Sequence, residues 1–192
     1  MSRELSERRG LETTVYQAAE DSRLLAEAAV EAVEPEWLVL DCGTGSGYVG
    51  ERIASEADAR VVASDFNPHA CRRAHERGLD AVRADLTESF RSGVFDAVCF
   101  NPPYLPTDPD AEWGDWMEVA LSGGESGRAV IEPFLDSVGR VLAPDGVVLL
   151  LVSSLTGVES VLERAENAGF EAASLREESF PFETLTVLKL DR

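Results

Sequence analysis

Asn101-Pro102-Pro103-Tyr104 is the stretch of this chain with the most pointed chemistry. Proline fixes φ and carries no N–H, so the tetrapeptide offers acceptors: the Asn101 side-chain oxygen and the Pro102 carbonyl. Two neighbouring acceptors suit an incoming NH2 group. The lone pair of an amide or aromatic amine is delocalised and therefore a poor nucleophile. Holding both N–H bonds favours a pyramidal nitrogen and stabilises positive charge that develops as it attacks. Tyr104 can cover one planar face of the group. If the partner carries a good leaving group, most of what remains is placement in line. As a bare tetrapeptide NPPY could be only a rigid turn; its chemical reading depends on what surrounds it.

A second constellation lies upstream in Asp41-Cys42-Gly43-Thr44-Gly45-Ser46-Gly47. Glycines there allow positive φ and close approach of backbone to a ligand. The spacing is GxGxG, whereas the dinucleotide fingerprint is GxGxxG, with its third glycine where Tyr48 stands. A pyrophosphate site is therefore disfavoured. Asp65, after the next apolar run, can accept both hydroxyls of a ribose. Asp85-Leu86, after the third, can bind an adenine amino group through the carboxylate and the ring through the Leu86 N–H. Alone, a GxGxG could be a plain turn and either aspartate a helix cap. Together they describe an adenosine pocket without phosphates. S-adenosylmethionine fits, since its sulfonium favours an acidic mouth. Asp41, Gly43, Thr44, Gly45, Gly47, Asp65, Asp85 and Leu86 are the expected cofactor contacts, and Asn101 bridges the two constellations. No metal site is expected.

The elements that must position these residues can be read from periodicity. Apolar residues at helical spacing run from Asp21 to Val33, where Pro35 stops them. Leu38–Leu40, Arg60–Ser64, Ala81–Ala84, Phe95–Phe100 and Val147–Val152 read as strands, the last almost wholly apolar, as a strand buried on both faces should be. Tyr48–Ala57, Pro68–Arg77, Ser126–Leu142 (ended by Pro144 and Gly146) and Val158–Ala168 read as helices, and 101–124 as irregular. Two final strands, near 171–177 and 184–190, share a short link. The alternation predicts an α/β, doubly wound, mostly parallel seven-stranded sheet with an antiparallel edge hairpin. Residues 1–14 are polar and expected to be mobile, and 15–192 are expected to form one domain.

The chain has 192 residues, 36 acidic against 17 basic, a net charge of -19 and 44% hydrophobic residues. That apolar share argues against disorder. Lys189 is its single lysine, so a generic phosphate-binding surface is disfavoured. Such acidity in a folded chain suits a high-salt cytoplasm, where self-repulsion is screened. Cys42, Cys71 and Cys99 form no CxxC pair, and His69 and His75 are expected at the surface. No apolar run suits a membrane helix and the N-terminus has no signal-peptide core. The expectation is a cytoplasmic protein.

DCGTGSG, SDFNP, ADL and NPPY, in this order and spacing, resemble class I amino-group methyltransferases, whose sheet has seven strands with one reversed. VYQAAEDSRLL (15–25) and LSGGESGRAVIEPFL (121–135) narrow the resemblance to the HemK-type protein glutamine N5-methyltransferases, in the short archaeal and eukaryotic branch. The similarity runs from Tyr16 almost to the end. It implies methyl transfer from S-adenosylmethionine to the glutamine side-chain amide in the Gly-Gly-Gln loop of a class I translation termination (release) factor. It implies that Asn101, Pro102, Pro103 and Tyr104 bind the amide, and that Tyr16 and Ser22 join the cofactor contacts. Gln17-Ala18 stand where the family often has Glu-Pro, and the segment could be a plain amphipathic helix start. The resemblance also implies a heterodimer with a small zinc-binding activator subunit, paired along a sheet edge near Ala81–Ala84.

A methyltransferase for exocyclic amines of DNA or RNA bases remains the alternative, because NPPY serves that chemistry equally. Against it, the chain has no room for a target-recognition domain. Nucleic acid is expected only through the substrate complex. Lysine methylation would need a general base, and a non-enzymatic scaffold would leave NPPY idle. Trp113 and Trp116, beside Asp108, Asp110, Glu112, Asp115 and Glu118, could form a peptide-docking lip or pack as core.

Overall fold

The computed structural model describes residues 15, 18–107 and 116–192. The segment 1–14, together with Tyr16, Gln17 and the acidic run with Trp113, lies outside the described residues. The elements are α1 (Glu20–Ala32), β1 (Leu38–Cys42), α2 (Tyr48–Glu56), β2 (Arg60–Asp65), α3 (Pro68–Glu76), β3 (Asp80–Arg83), β4 (Phe95–Phe100), α4 (Trp116–Leu121), α5 (Ile131–Val138), β5 (Leu142–Ser153), α6 (Val158–Asn167), β6 (Glu171–Ser179) and β7 (Thr184–Asp191).

The strands form one seven-stranded sheet in the order β3-β2-β1-β4-β5-β7-β6. Strands β1 to β5 run parallel, and β7 runs antiparallel to both β5 and β6. Alternation of side chains across a strand divides the core into two layers. Val39, Ala97, Leu149 and Val187 pack with α1, α2 and α3 on one face. Leu40, Val98, Val148, Leu150 and Leu188 pack with α5 and α6 on the other. Strand order reverses between β1 and β4, and in such sheets ligands bind beyond the carboxyl ends of the strands at that point. The glycine turn follows β1, Asp65 ends β2, and NPPY follows β4, so the topology gathers all three at one rim.

Three expectations need correction. Residues 101–124 are not all irregular: Trp116–Leu121 form α4, and Leu105 and Ser122 make a parallel bridge. The helix expected over 126–142 is only α5. Gly124 and Gly127 sit at φ 69° and 73°, which L-residues rarely adopt and which holds the preceding chain in turns. At the other end Pro144 and Gly146 belong to β5 rather than marking a helix stop. The register shifts between Phe95/Leu142 and Ala97/Val147, and a Cβ at Gly146 would lie 2.8 Å from the Phe95 carbonyl oxygen. A bulge with a close backbone approach explains both residues. Finally, only His75 is fully at the surface; His69 is half-buried with its ring edge towards Trp116.

Candidate active site

A cavity of about 260 Å³ opens at the rim, lined by the glycine turn, Asp65, Asp85, Leu86 and Asn101. The turn is built from its own sequence. Gly43, Gly45 and Gly47 have φ of 63°, 53° and 81°. A Cβ at Gly47 would sit 2.9 Å from Arg77 Cδ and 3.1 Å from the Ala74 backbone. Its polar backbone is already spoken for. Thr44 N–H donates to the Ser64 carbonyl and Gly47 N–H to the Thr44 carbonyl, both at 2.9 Å. Gly45 N–H donates to Asp65 Oδ2 at 2.9 Å. With these donors consumed and two carboxylates alongside, the turn is no nest for a phosphate.

Asp41 is buried. Its Oδ2 accepts from the Thr44 hydroxyl at 2.6 Å and from Gly50 N–H at 2.9 Å. Burial pushes its carboxyl up to about 6, against the two hydrogen bonds, which favour the charged form. Asp65 is likewise raised by burial; its Oδ1 accepts from Asn67 N–H at 2.8 Å. Asp65 also lines the cavity, and its carboxylate keeps acceptor capacity to which ribose hydroxyls could donate. Asp85 is exposed on the cavity lining, and Leu86 beside it has φ 44°, a strained value for a non-glycine residue.

At the β4 end, Ser22 of α1 is buried, and its hydroxyl accepts from Asn101 Nδ2 at 3.4 Å. Asn101 Oδ1 is buried and has no hydrogen-bond partner among the described residues. A buried acceptor without a donor costs about 1–3 kcal/mol, and such groups call for a reason. Tyr104 is not presented over the cavity as expected. It is 3% exposed, packed in the core, with its hydroxyl donating to Asp21 Oδ2 at 3.3 Å. With Pro102, Pro103 and Asn101 it lines a smaller adjoining cavity.

The residues match known proteins along most of their length. A methyltransferase domain model matches residues 39–124. A Methanocaldococcus jannaschii protein bearing the name of a protein N5-glutamine methyltransferase is 33% identical, covering 93% of this chain and 92% of its own. The human methyltransferase HEMK2 is 30% identical over 96% of this chain and 92% of its own. The chain belongs to the HemK2-type family of protein N5-glutamine methyltransferases. Among solved structures, the E. cuniculi Mtq2–Trm112 complex, responsible for methylation of the eRF1 termination factor, superposes with a TM-score of 0.78 at 31% identity. It covers 94% of this chain and 99% of its own.

The methyl donor of this family is S-adenosylmethionine, and the methyltransferase's cavity suits it: acidic, with the Thr44, Gly45 and Gly47 N–H groups already donating within the protein, and long enough to join Asp85 to Asn101. Of the residues expected from sequence, all but Tyr16 are described, and all of these reach one of the two cavities except Gly47, which sets the turn behind. Sequence reasoning missed Phe66 and Val130, which line the main cavity, and Trp116, weighed as a docking lip or core, lines it too. Phe66 and Trp116 rings pack at 6.0 Å, and the Arg83 guanidinium lies 5.4 Å from the Phe66 ring centre. The available signal was the place of Phe66 inside the SDFNP motif, directly after Asp65. Asp21 was also missed, although it stands inside the quoted VYQAAEDSRLL stretch. Among the described residues, no helix is long and apolar enough to cross a membrane.

Proposed function

We propose that this protein transfers a methyl group from S-adenosylmethionine to the side-chain amide nitrogen of the glutamine in the Gly-Gly-Gln loop of a class I translation termination factor. The observation that carries the reading is the buried Asn101 Oδ1, which has no partner among the described residues: an acceptor at the donor site's far wall calls for an N–H from the substrate. Asp41, Gly43, Thr44, Gly45, Asp65, Asp85 and Leu86 hold the cofactor, with Gly47 shaping the turn behind them and Tyr16 and Ser22 joining from the N-terminal segment. When bound, S-adenosylmethionine supplies an electrophilic methyl on a good leaving group.

The chain's own work is then placement. Asn101 Oδ1 and the Pro102 carbonyl accept the two N–H bonds of the amide and stabilise the charge that grows on its nitrogen. Pro102 and Pro103 keep those acceptors from drifting, and buried Tyr104 anchors the loop. A small zinc-binding activator subunit pairs along the outer edge of β3, where Val82 is exposed and the strand has no outer neighbour among the described residues. Unpaired edges of this kind invite a strand from another chain. The test is site-mapped methylation of a termination factor by the protein and its activator. A methyl group on the Gly-Gly-Gln glutamine, lost when that glutamine is replaced, is the expected result. Label found only on nucleic acid would replace this reading with base methylation.

A further inference from the structure

Asn101 can do its job only in one of two orientations. Rotated by half a turn about its last torsion, the same side chain would aim NH2 instead of oxygen at the substrate, and two NH2 groups would face each other. The protein must therefore suppress the wrong orientation. The direct contact is Ser22, whose hydroxyl oxygen lies 3.4 Å from Asn101 Nδ2. A hydroxyl, however, can donate as readily as it accepts, so serine alone would tolerate either orientation.

Asp21 removes that freedom. It sits in the first turn of α1, only 3% exposed. Its Oδ1 accepts from the Ser22 hydroxyl at 3.3 Å and from the Ser22 N–H at 2.6 Å. The one Ser22 proton is thereby committed to the carboxylate. What Ser22 turns to Asn101 is a lone pair, which only the NH2 end can satisfy. Oδ1 of Asn101 must then point away, into the position where it has no partner among the described residues. The other carboxylate oxygen accepts from Tyr104 at 3.3 Å, holding the far end of the same loop.

We propose that Asp21 is a positioning residue for methyl transfer: through Ser22 it sets the orientation of the Asn101 amide and strengthens its oxygen as an acceptor. Hydrogen bonds in such a chain polarise one another in a buried setting. The proposal rests on the reading that Asn101 receives the substrate N–H. It assigns Asp21 no contact with substrate or cofactor.

The experiment uses the full protein with its activator and a termination factor. Asp21→Asn keeps the shape but supplies an NH2 that can donate to Ser22, freeing the serine proton for the wrong end of Asn101. Turnover is expected to fall about 10²-fold, the size of losing one preorganised donor–acceptor contact. Cofactor affinity by calorimetry should stay within about two- to threefold, since only the transition-state contact is lost. Compared at saturating cofactor, because Ser22 also lines that pocket, Ser22→Ala should match the loss, and Ser22→Thr, which keeps the hydroxyl, should restore most of it. The double variant Asp21→Asn/Ser22→Ala should be no slower than either single one, because the two act in series. Wild-type turnover in Asp21→Asn, or losses that multiply in the double variant, would overturn the proposal. Should Asp21→Asn fail to fold, the contrast between Ser22→Ala and Ser22→Thr decides alone: equal activity of the two overturns it. Wild-type protein that leaves the termination factor unmethylated would count against the substrate reading instead.

Discussion

At the β1 end of the pocket the N–H groups of Thr44, Gly45 and Gly47 all donate within the protein, and Asp41 and Asp65 accept within it. At the β4 end, Asn101 Oδ1 is buried with no donor among the described residues. The first end is rigid because its polar groups are satisfied; it presents shape and charge to a cofactor. The second end keeps one unmet acceptor, and an unmet acceptor is what can become stronger when charge develops on a reacting nitrogen. The contrast separates binding from chemistry within a single cavity, and each half can be damaged without the other.

The sharpest break is Asn101→Ala. Turnover should fall by about 10²–10³ or more, as for loss of one contact made in the transition state, while calorimetric cofactor affinity changes little. Loss of cofactor binding in step with turnover would erase the distinction between the two ends. Gly47→Ala attacks the other half. It places a Cβ at φ 81°, against Arg77 and the Ala74 backbone. About 2 kcal/mol of stability should be lost, and cofactor affinity should drop with it in thermal melts and titrations; an unchanged melt would mean that the turn is not held as described.

A pH series separates the two roles of Asp41. Its carboxyl sits at about 6 in the fold, above the ordinary value near 3.9. Ionising it is therefore harder folded than unfolded. Its contribution to the cofactor-free fold's stability is fully present below about pH 4 and is lost as pH rises through about 6. Cofactor affinity should move the opposite way, weakening as pH falls through about 6 and a negative charge on the wall of a cavity for a cationic cofactor is neutralised. Melting and calorimetry at pH 5 and pH 7.5 check both signs, and parallel trends would contradict them. The smallest effect is expected far from the cavity. Arg176 ties β6 to α1 through Glu27 and Glu31 at the surface. Arg176→Ala should cost under about 1 kcal/mol and leave turnover unchanged in the same assay.

The half of the site made by local sequence was legible before the structure, and the half made by distant contacts was not. Gly43, Gly45, Gly47, Asp65 and Asp85 announce themselves because each lies at or just beyond the end of a strand readable in the sequence. Asp21 carries no such mark. Its importance lies in contacts with Ser22 and with Tyr104, 83 residues away, and an acidic residue in a helix's first turn reads as ordinary dipole complementation. The same applies to the fold. Strands β1, β2 and β4 fall where apolar runs place them. Helix α4 is six residues long between segments rich in Asp, Gly and Pro, so its periodicity has no room to show. Pro144 and Gly146 suggest a helix stop in sequence, and only the pairing of β5 with Phe95 reveals a bulge.

The most direct test observes the glutamine amide itself. A termination factor labelled with 15N in its glutamine side chains would be bound to the protein, its activator and the demethylated cofactor product, and read by NMR. Both N–H protons of the Gly-Gly-Gln glutamine should shift downfield on binding, and Asn101→Ala should return one of them towards its free position while the complex persists. Two amide protons that keep their free shifts in the wild-type complex would contradict the claim that Asn101 Oδ1 waits for a substrate N–H.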